Sequence, residues 1–352
     1  MKYLIITFFV SLILNVIFLR LSKRFSLLDK TEGVQKFHKK PTPRIGGVAI
    51  YMSVFLVGII FNVVGKDFAK EFLKILICAL PVFLAGVLED LTRKVSPGWR
   101  LLGAFLSAAL VFFVVFVRIV RAGIPIVDQI LVIPVISFVV TLFAVAGVSH
   151  AFNIIDGFNG LAAGVALLVF GAYAYVSYMV KDFFLLYLSL VMCFAILGFF
   201  VWNYPFGYIF LGDGGAYFIG CMAASTGILL VERHNQVAPL FCLLVLAYPV
   251  WETIFSICRK KFLVKISPFV PDGAHLHMLI YKKLLRLTFG SNNGFLDRNA
   301  ATSPYLWSME FFCIVPAVLF WRNNKILFVC LFAFVVFYVW LYFVVFKSER
   351  RG

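Results

Sequence analysis

The chain has 352 residues, of which 63% are hydrophobic and only 14% are charged. A soluble globular domain of this size exposes far more polar surface, so the composition excludes one and indicates an integral membrane protein. The formal net charge of +16 does not indicate a nucleic-acid partner, because the basic residues lie between apolar runs. Basic residues in such loops set membrane orientation and bind acidic substrates.

Apolar runs that are long enough to cross a bilayer recur along the whole chain. About 20 apolar residues span the hydrocarbon core as a helix, and backbone in lipid must satisfy its own hydrogen bonds. No small-residue cleavage site follows the first run, so we expect a retained helix and not a signal peptide. The sequence therefore predicts one all-α domain over 1–352, a polytopic membrane helical bundle of about 11 transmembrane helices. The predicted helices are 3–21, 46–63, 72–88, 101–117, 129–149, 161–180, 183–202, 215–231, 237–257, 305–321 and 326–346.

Lys and Arg residues are distributed unequally between the loops. If the N-terminus lies outside and the C-terminus inside, 22 of the 32 basic residues lie on the inner side, including Arg20 at a helix end and three in the tail 347–352, and ten lie on the outer side. Basic residues accumulate in cytoplasmic loops, so the sequence predicts this orientation. The distinctive polar stretches then share one face, and we expect them to form a site there. The predicted cytoplasmic loops are 22–45, 89–100, 150–160, 203–214 and 258–304.

Two adjacent acids, Glu89 and Asp90, end the third predicted helix, and Arg93 and Lys94 follow one turn later. Neighbouring carboxylates repel each other unless a cation or a proton lies between them, so the pattern indicates a metal ion or a basic partner. Hard oxygen ligands suit Mg²⁺, with Mn²⁺ as the alternative ion. A charge cluster that merely anchors a helix end is the other interpretation.

The stretch "SHAFNIIDGFNGLAAG" interrupts apolar sequence with Asn153, Asp156 and Asn159 at three-residue steps. This spacing places the three side chains roughly on one helix face, where they offer oxygen ligands and hydrogen-bonding groups. An Asn-rich turn at Asn159-Gly160 is the alternative.

Asp213 lies among glycines just before an apolar helix, in "FLGDGGAYFIG". Glycines let the backbone approach a ligand closely, and the start of a helix offers free N–H groups to phosphate. The alternative is an aspartate that caps this helix.

Two histidines flank Leu276, and two acids lie inside predicted helices. In an extended loop, His275 and His277 point the same way, which suits phosphate recognition or a metal. Glu252 and Glu310 are candidates for function because charge inside a membrane is costly, although each lies near enough to a helix end for its charge to reach the interface.

Five motifs in order resemble the polyprenyl-phosphate N-acetylhexosamine-1-phosphate transferases, relatives of the muramoyl-pentapeptide transferase. "HKKPTPRIGG" resembles the family's first cytoplasmic loop, and "GVLEDLTRK" stands where the family usually has paired aspartates, with Glu89 in place of the first. "NIIDGFNGLAAG", "FLGDGGAYFIG" and "HLHM" are similar to its "NxxDGxDGLA", "FxGDxGS" and histidine motifs. The resemblance covers almost the whole chain.

The resemblance implies a role for each motif. Asp213 is implied to ligate Mg²⁺, with Asn153 as second ligand and Asp156 orienting the site. Phe210 is implied to stack on uracil, with Asn159 near the uracil edge. The acids implied to position or deprotonate the lipid phosphate are Glu89 and Asp90. The residues implied to face phosphates or sugar are Arg44, Arg93, Lys94, Arg100, His275 and His277.

Three positions depart from the family pattern and bear on sugar specificity. His150 replaces a common Asn, Asn159 replaces the second Asp of its motif, and Met278 stands where many relatives have another His. The segment "DRNAATSPYLW" (297–307) has no chemistry that the sequence reveals.

The implied reaction is attack of undecaprenyl phosphate on the β-phosphorus of a UDP-N-acetyl sugar, with release of UMP and initiation of a surface glycan such as O-antigen or capsule. The resemblance places the enzyme in the bacterial cytoplasmic membrane, with its active site facing the cytoplasm, and a homodimer is compatible with the sequence. The alternatives are a secondary transporter for anionic substrates, which would hold its charges near the membrane midplane between repeated halves, and a lipid-binding scaffold.

Overall fold

A computed structural model describes residues 1–24, 41–265, 267, 273–288 and 298–350. Parts of two predicted cytoplasmic loops, including 25–40 and 289–297, lie outside these described residues, as does the start of the first motif. The described regular structure is a succession of helices, the twelfth of which continues as a π-helical turn at Arg259–Val264. The helices are α1 (Lys2–Arg24), α2 (Gly46–Val63), α3 (Ala69–Cys78), α4 (Leu80–Thr92), α5 (Pro97–Val114), α6 (Pro125–Leu131), α7 (Pro134–Ile155), α8 (Leu161–Met179), α9 (Phe183–Asn203), α10 (Gly212–Arg233), α11 (Pro239–Val245), α12 (Ala247–Cys258), α13 (Leu276–Thr288), α14 (Arg298–Leu319) and α15 (Asn324–Arg350).

The prediction of an all-helical membrane bundle is confirmed, but with fewer spans than the eleven predicted. Among the described residues, eight helices are long and apolar enough to cross a membrane. Two bent pairs, α3 with α4 and α11 with α12, raise the number to ten. The remaining predicted segment, 305–321, lies in α14, where polar residues such as Ser308 and Glu310 lower the hydropathy.

Helix α10 is the centre of the bundle. In its apolar span 94% of the residues are buried, against 22% in α1 and in α15, which therefore lie at the edge. Helices α2, α4, α7 and α8 surround α10. The start of α10, which carries Asp213, is thus enclosed by several elements.

Glycines bring α2 and α4 against the first turn of α10. A Cβ on Gly47 would collide with the backbone of Gly215, and a Cβ on Gly86 would collide with that of Gly214. Small residues at such crossings let membrane helices pack backbone to backbone. The loops that precede α2 and follow α4 are therefore drawn to the start of α10.

Helices α11 and α12 meet at a bend of 75°. The bend leaves backbone N–H groups at the start of α12 without helical partners. Glu310 of α14, which is fully buried, accepts one of them from Tyr248 N at 3.1 Å. This buried acid thus stabilises the broken helix.

The two ends of the chain lie at opposite ends of the bundle. Near the N-terminus, the Tyr3 ring packs on Phe61 at the end of α2, with ring centroids 5.2 Å apart. Near the C-terminus, Tyr342 donates to the Ala274 carbonyl at 3.1 Å, beside the histidine motif. Which end faces the cytoplasm stays a prediction from the basic residues.

Candidate active site

Asp213 lies in the first turn of α10 between two arginines, and its side chain is 7% exposed. Arg44 Nη2 donates to Oδ1 at 2.9 Å, and Arg100 Nη1 donates to Oδ2 at 2.5 Å. Arg44 precedes α2 and Arg100 lies in the first turn of α5. Three polar motifs that are distant in sequence therefore meet at one carboxylate.

Asp90, and not Asp213, satisfies the start of α10. The Asp90 carboxylate accepts the N–H of Asp213 at 2.9 Å on Oδ1 and that of Gly214 at 2.9 Å on Oδ2. Its side chain is 3% exposed, and Arg44 Nε lies 3.6 Å away. The capping alternative for Asp213 is therefore not what the structure shows, and two N–H groups expected to face phosphate are already occupied.

The adjacent acids of α4 point in different directions. Glu89 accepts the N–H of Val95 at 2.8 Å and closes the loop between α4 and α5. Arg93 and Lys94 are exposed in this loop, and Arg93 has a left-handed φ of 55° at the end of α4. The two acids that were expected to share one cation therefore point apart, with Asp90 in the core and Glu89 towards the loop.

The loop that holds Arg44 is hydrogen-bonded to the segment before α10. Phe210 N donates to the Pro43 carbonyl at 2.8 Å, and Gly46 N donates to the Phe210 carbonyl at 2.9 Å. A third bond joins Gly47 N to the Leu211 carbonyl at 2.9 Å. These backbone bonds fix Arg44 and Phe210 on one frame.

Helices α7 and α10 run antiparallel, which brings the end of α7 to the start of α10. A Cβ on Gly220 would collide with the backbone of Ser149, and the His150 ring lies 4.8 Å from the Tyr217 ring. Continued for one more turn, this register places Asn153 and Asp156 beside the first turn of α10. Tyr217, which lies in the motif "FLGDGGAYFIG" but was not predicted as a site residue, also contacts Arg100 Nη1 at 3.4 Å.

Asp156, immediately after α7, is affected by the same charges. Burial raises the pKa of its carboxyl to about 7, while the positive charge of Arg44 opposes the rise and the negative charge of Asp213 adds to it. Asp156 is therefore partly protonated near neutral pH when no cation is bound.

Asn159 and Gly160 form a turn that neighbouring elements hold in place. Asn159 Nδ2 donates to the Pro205 carbonyl at 3.1 Å, and Gly160 N donates to Asn203 Oδ1 at 2.6 Å. Gly160 has a φ of 76°, which suits glycine. The turn that the sequence suggested is thus present, and the amide donor of Asn159 is engaged by protein.

The segment 297–307 supplies part of that support from α14. Asn159 N donates to Asn299 Oδ1 at 2.7 Å, and Ser303 Oγ donates to the Asn159 carbonyl at 2.6 Å. Trp307 Nε1 donates to the Gly160 carbonyl at 3.2 Å. Their four-residue spacing, which places all three on one helix face, is the signal that could have identified them.

The histidine motif lies against the stretch that carries Asp156. A Cβ on Gly157 would lie 3.3 Å from His277 Nε2, and the Phe158 and His277 rings are 5.7 Å apart. His277 is fully buried, and neither ring nitrogen has a hydrogen-bond partner among the described residues. Burial lowers the pKa of His277 to about 3, with Glu252 opposing and His275 adding to the fall. His277 is therefore neutral at physiological pH.

The donor set around Asp213 fits a magnesium ion only if phosphates and waters supply most of its ligands. Among the described residues, no group of three His, Cys, Asp or Glu residues is arranged to hold a metal ion. Mg²⁺ usually needs only one or two protein carboxylates, because phosphates and waters complete its shell. Asp213 with Asn153 and Asp156 nearby meets that need.

An apolar groove runs along α7, α10 and the bent pair α11–α12. It has a volume of about 240 Å³, and its lining includes Val148, Ile228 and Leu246. Arg118 and Glu232 lie at the end remote from Asp213. On α10 the lining residue nearest to Asp213 is Ala224, so the groove lies in the apolar span and apart from the charged cluster.

Comparison with known proteins gives matches over most of the chain. The profile "Glycosyl transferase family 4" matches residues 72–231. The undecaprenyl-phosphate alpha-N-acetylglucosaminyl 1-phosphate transferase of Thermotoga maritima is 30% identical over 80% of this chain and 80% of its own length. A probable undecaprenyl-phosphate N-acetylglucosaminyl 1-phosphate transferase of Bacillus subtilis is 26% identical over 78% of this chain and 76% of its own. The phospho-N-acetylmuramoyl-pentapeptide-transferase of Staphylococcus carnosus is 29% identical over 75% and 87%.

A membrane bundle with a buried cluster of acids and arginines, together with these relatives, defines a multi-pass membrane enzyme of the polyprenyl-phosphate sugar-1-phosphate transferase type. The chain belongs to glycosyl transferase family 4. The resemblance that the motifs predicted is thereby confirmed.

Proposed function

We propose that this protein transfers an N-acetylhexosamine 1-phosphate from a UDP-sugar to undecaprenyl phosphate, releases UMP and initiates a lipid-linked surface glycan. The observation that carries the proposal is the meeting of Arg44, Arg100, Asp90 and Asp213 at the start of α10. Two arginines neutralise a diphosphate, and a carboxylate beside them suits a divalent ion. The lipid acceptor of the proposal is supported by the relatives, two of which are named as undecaprenyl-phosphate transferases.

The chain's own residues act mainly by binding and alignment. Asp213 and Asn153 would hold Mg²⁺, and the bound ion would supply neutralisation of charge on the transferring phosphate. When the UDP-sugar binds, Arg44 and Arg100 leave the Asp213 carboxylate and bind phosphate oxygens instead. Phe210 stacks on the uracil, and Asn159 lies near the uracil edge. The residues that face the phosphates and the sugar are His275, His277, Arg93 and Lys94.

Positioning accounts better than base catalysis for the two acids of α4. A phosphomonoester has a second pKa of about 6, so the lipid phosphate is mostly dianionic at neutral pH and needs no base. Both oxygens of Asp90 already accept N–H groups of α10, which supports a role in aligning that helix. Glu89 holds the adjoining loop through Val95.

The proposal places the enzyme in a bacterial cytoplasmic membrane with the site on the cytoplasmic face, as one catalytic domain that is able to form homodimers. Membership of a family of transferases argues against the transporter alternative, and no contact among the described residues favours a scaffold.

The test is transfer by the purified enzyme. Undecaprenyl phosphate and Mg²⁺ or Mn²⁺ are supplied with a panel of radiolabelled UDP-sugars, and lipid-linked label and UMP are measured together. We expect one UDP-N-acetyl sugar to give equal amounts of both products, and chelation of the metal to stop the reaction. Label transfer without UMP release, or transfer only from sugars that lack the N-acetyl group, contradicts the proposal.

A further inference from the structure

Glu252 is a buried carboxylate in α12, just after the 75° bend between α11 and α12. Its side chain is 1% exposed, and it meets donors from separate parts of the chain. His275 Nδ1 lies 2.9 Å from Oε1, and Leu276 N donates to the same oxygen at 3.2 Å. Tyr338 Oη of α15 donates to Oε2 at 2.8 Å. A buried carboxylate is costly unless it is well hydrogen-bonded, so these donors explain its presence in the bundle.

We propose that Glu252 is a positioning residue that fixes the ring of His275 for sugar-phosphate transfer, a role that rests on the proposed function. An ionised carboxylate only accepts hydrogen bonds, so the nitrogen that faces it, Nδ1, carries the hydrogen. In the neutral ring Nε2 is then the acceptor. The hydrogen bond of one ring nitrogen commonly sets the tautomer and direction of the other in this way.

The orientation of His275 is transmitted to the site through His277. The two rings stack with centroids 5.3 Å apart and an angle of 7° between their planes. His277 in turn lies against Gly157, which follows Asp156. Glu252 therefore fixes the orientation of two stacked rings, one of which contacts the stretch at the end of α7. Glu252 itself does not contact that stretch.

The C-terminal helix stabilises the same arrangement from the other side. Tyr338 and Tyr342 lie one turn apart on α15, and they hold Glu252 and the Ala274 carbonyl respectively. These residues lie beyond 72–231, the part of the chain that the family profile matches. The alternative is that Glu252 serves only to cap α13 through Leu276 N, which is a purely structural role.

The tautomer of His275 distinguishes these interpretations without any substrate. Solid-state NMR of ¹⁵N-histidine-labelled enzyme in lipid shows which ring nitrogen carries the proton, and the chain has only five histidines. The His275 signal is the one that His275→Gln removes. We expect the Nδ1–H form in the native enzyme and its loss in Glu252→Leu. Glu310→Leu, which removes the other buried acid nearby, is the matched control and should keep the Nδ1–H form.

Kinetics give the second readout. Hydrogen-bond partners of metal-ligating histidines typically contribute about 10- to 100-fold in affinity or activity. By analogy we expect Glu252→Leu to lower kcat by about that factor while KM for the UDP-sugar changes little. Glu252→Gln keeps an oxygen acceptor for His275 and should recover most of the loss. Tyr338→Phe leaves the His275 contact in place and should act far more weakly than Glu252→Leu.

A native enzyme with His275 in the Nε2–H form overturns the inference even if every variant fails to fold. A folded Glu252→Leu enzyme with unchanged kcat overturns the inference as well. The inference is also overturned if Glu310→Leu shows the same loss of stability and the same loss of kcat as Glu252→Leu. Absence of transfer by native enzyme that shows the Nδ1–H form overturns the proposed function instead, because the tautomer is measured independently.

Discussion

Before any substrate binds, each carboxylate oxygen of Asp213 is paired with an arginine. Replacing it with asparagine keeps the shape of the side chain and removes the charge that attracts Arg44, Arg100 and a divalent ion. We expect Asp213→Asn to lower kcat by at least about 10²- to 10³-fold at every Mg²⁺ concentration, as losses of charge stabilisation in active sites do. Steady-state kinetics on detergent-purified enzyme measure this. Asp182→Asn, the same change at the far end of the bundle, should keep its kcat, and near-normal turnover of Asp213→Asn would contradict a catalytic role.

Asn159 shows how a structural contact can change the expectation for a substitution. The resemblance allows aspartate at this position, but here Asn159 Nδ2 donates to the Pro205 carbonyl at 3.1 Å. A carboxylate would face that carbonyl without a donor, so Asn159→Asp should cost about 1–3 kcal/mol of stability. A thermal shift in detergent measures this, with the exposed Asn235→Asp as control. An unchanged melting temperature would show that the contact is dispensable.

Asp156 should make the metal-free enzyme sensitive to pH. Its pKa is raised from 3.8 to about 7, so the folded state binds the proton more tightly than the unfolded chain does. Its contribution to stability is therefore present below about pH 4 and is lost as the pH rises towards 7. The melting temperature of the metal-free enzyme should fall as the pH rises from 5 to 8. Asp156→Asn should reduce this fall. Equal slopes for both proteins would refute the assignment.

At the scale of elements, the apolar runs predicted the helices well because backbone in lipid has no other stable choice. The motifs also identified the loops that meet at α10. Sequence could not show that Glu89 and Asp90 diverge, since neighbours on a helix point about 100° apart and the partner of each lies in another element. The sequence also could not predict the bends at Ala79 and Leu246, because they depend on tertiary contacts such as that of Glu310 with Tyr248.

The crossing of α4 and α10 depends on Gly86. A methyl group there would meet the backbone of Gly214, which cannot move without displacing Asp213. Overpacking of this kind typically costs about 1–3 kcal/mol, so Gly86→Ala should lower both the melting temperature and kcat. Gly171→Ala in α8 is the matched control, because nothing lies within 4 Å of its added Cβ. If both variants behave alike, close approach of the two helices is not required.

At the scale of the whole molecule, the structure places the site at one end of the bundle and the basic residues predict that this end is cytoplasmic. Ser96 is exposed at the site end, whereas Asn235 is exposed at the opposite end after α10. In a background without native cysteines, an impermeant maleimide on intact cells should label Asn235→Cys and not Ser96→Cys. Permeabilised cells, in which both should react, are the control, and the reverse pattern would overturn the orientation.

The double pairing of Asp213 has a consequence for ligand affinity. While Arg44 and Arg100 occupy both its oxygens, a cation competes with two guanidinium groups, and a phosphate competes with the carboxylate. An anion that draws the arginines away frees Asp213, and a cation that takes Asp213 frees the arginines. Cation and nucleotide should therefore bind with positive heterotropic cooperativity, each raising the affinity for the other by the same factor.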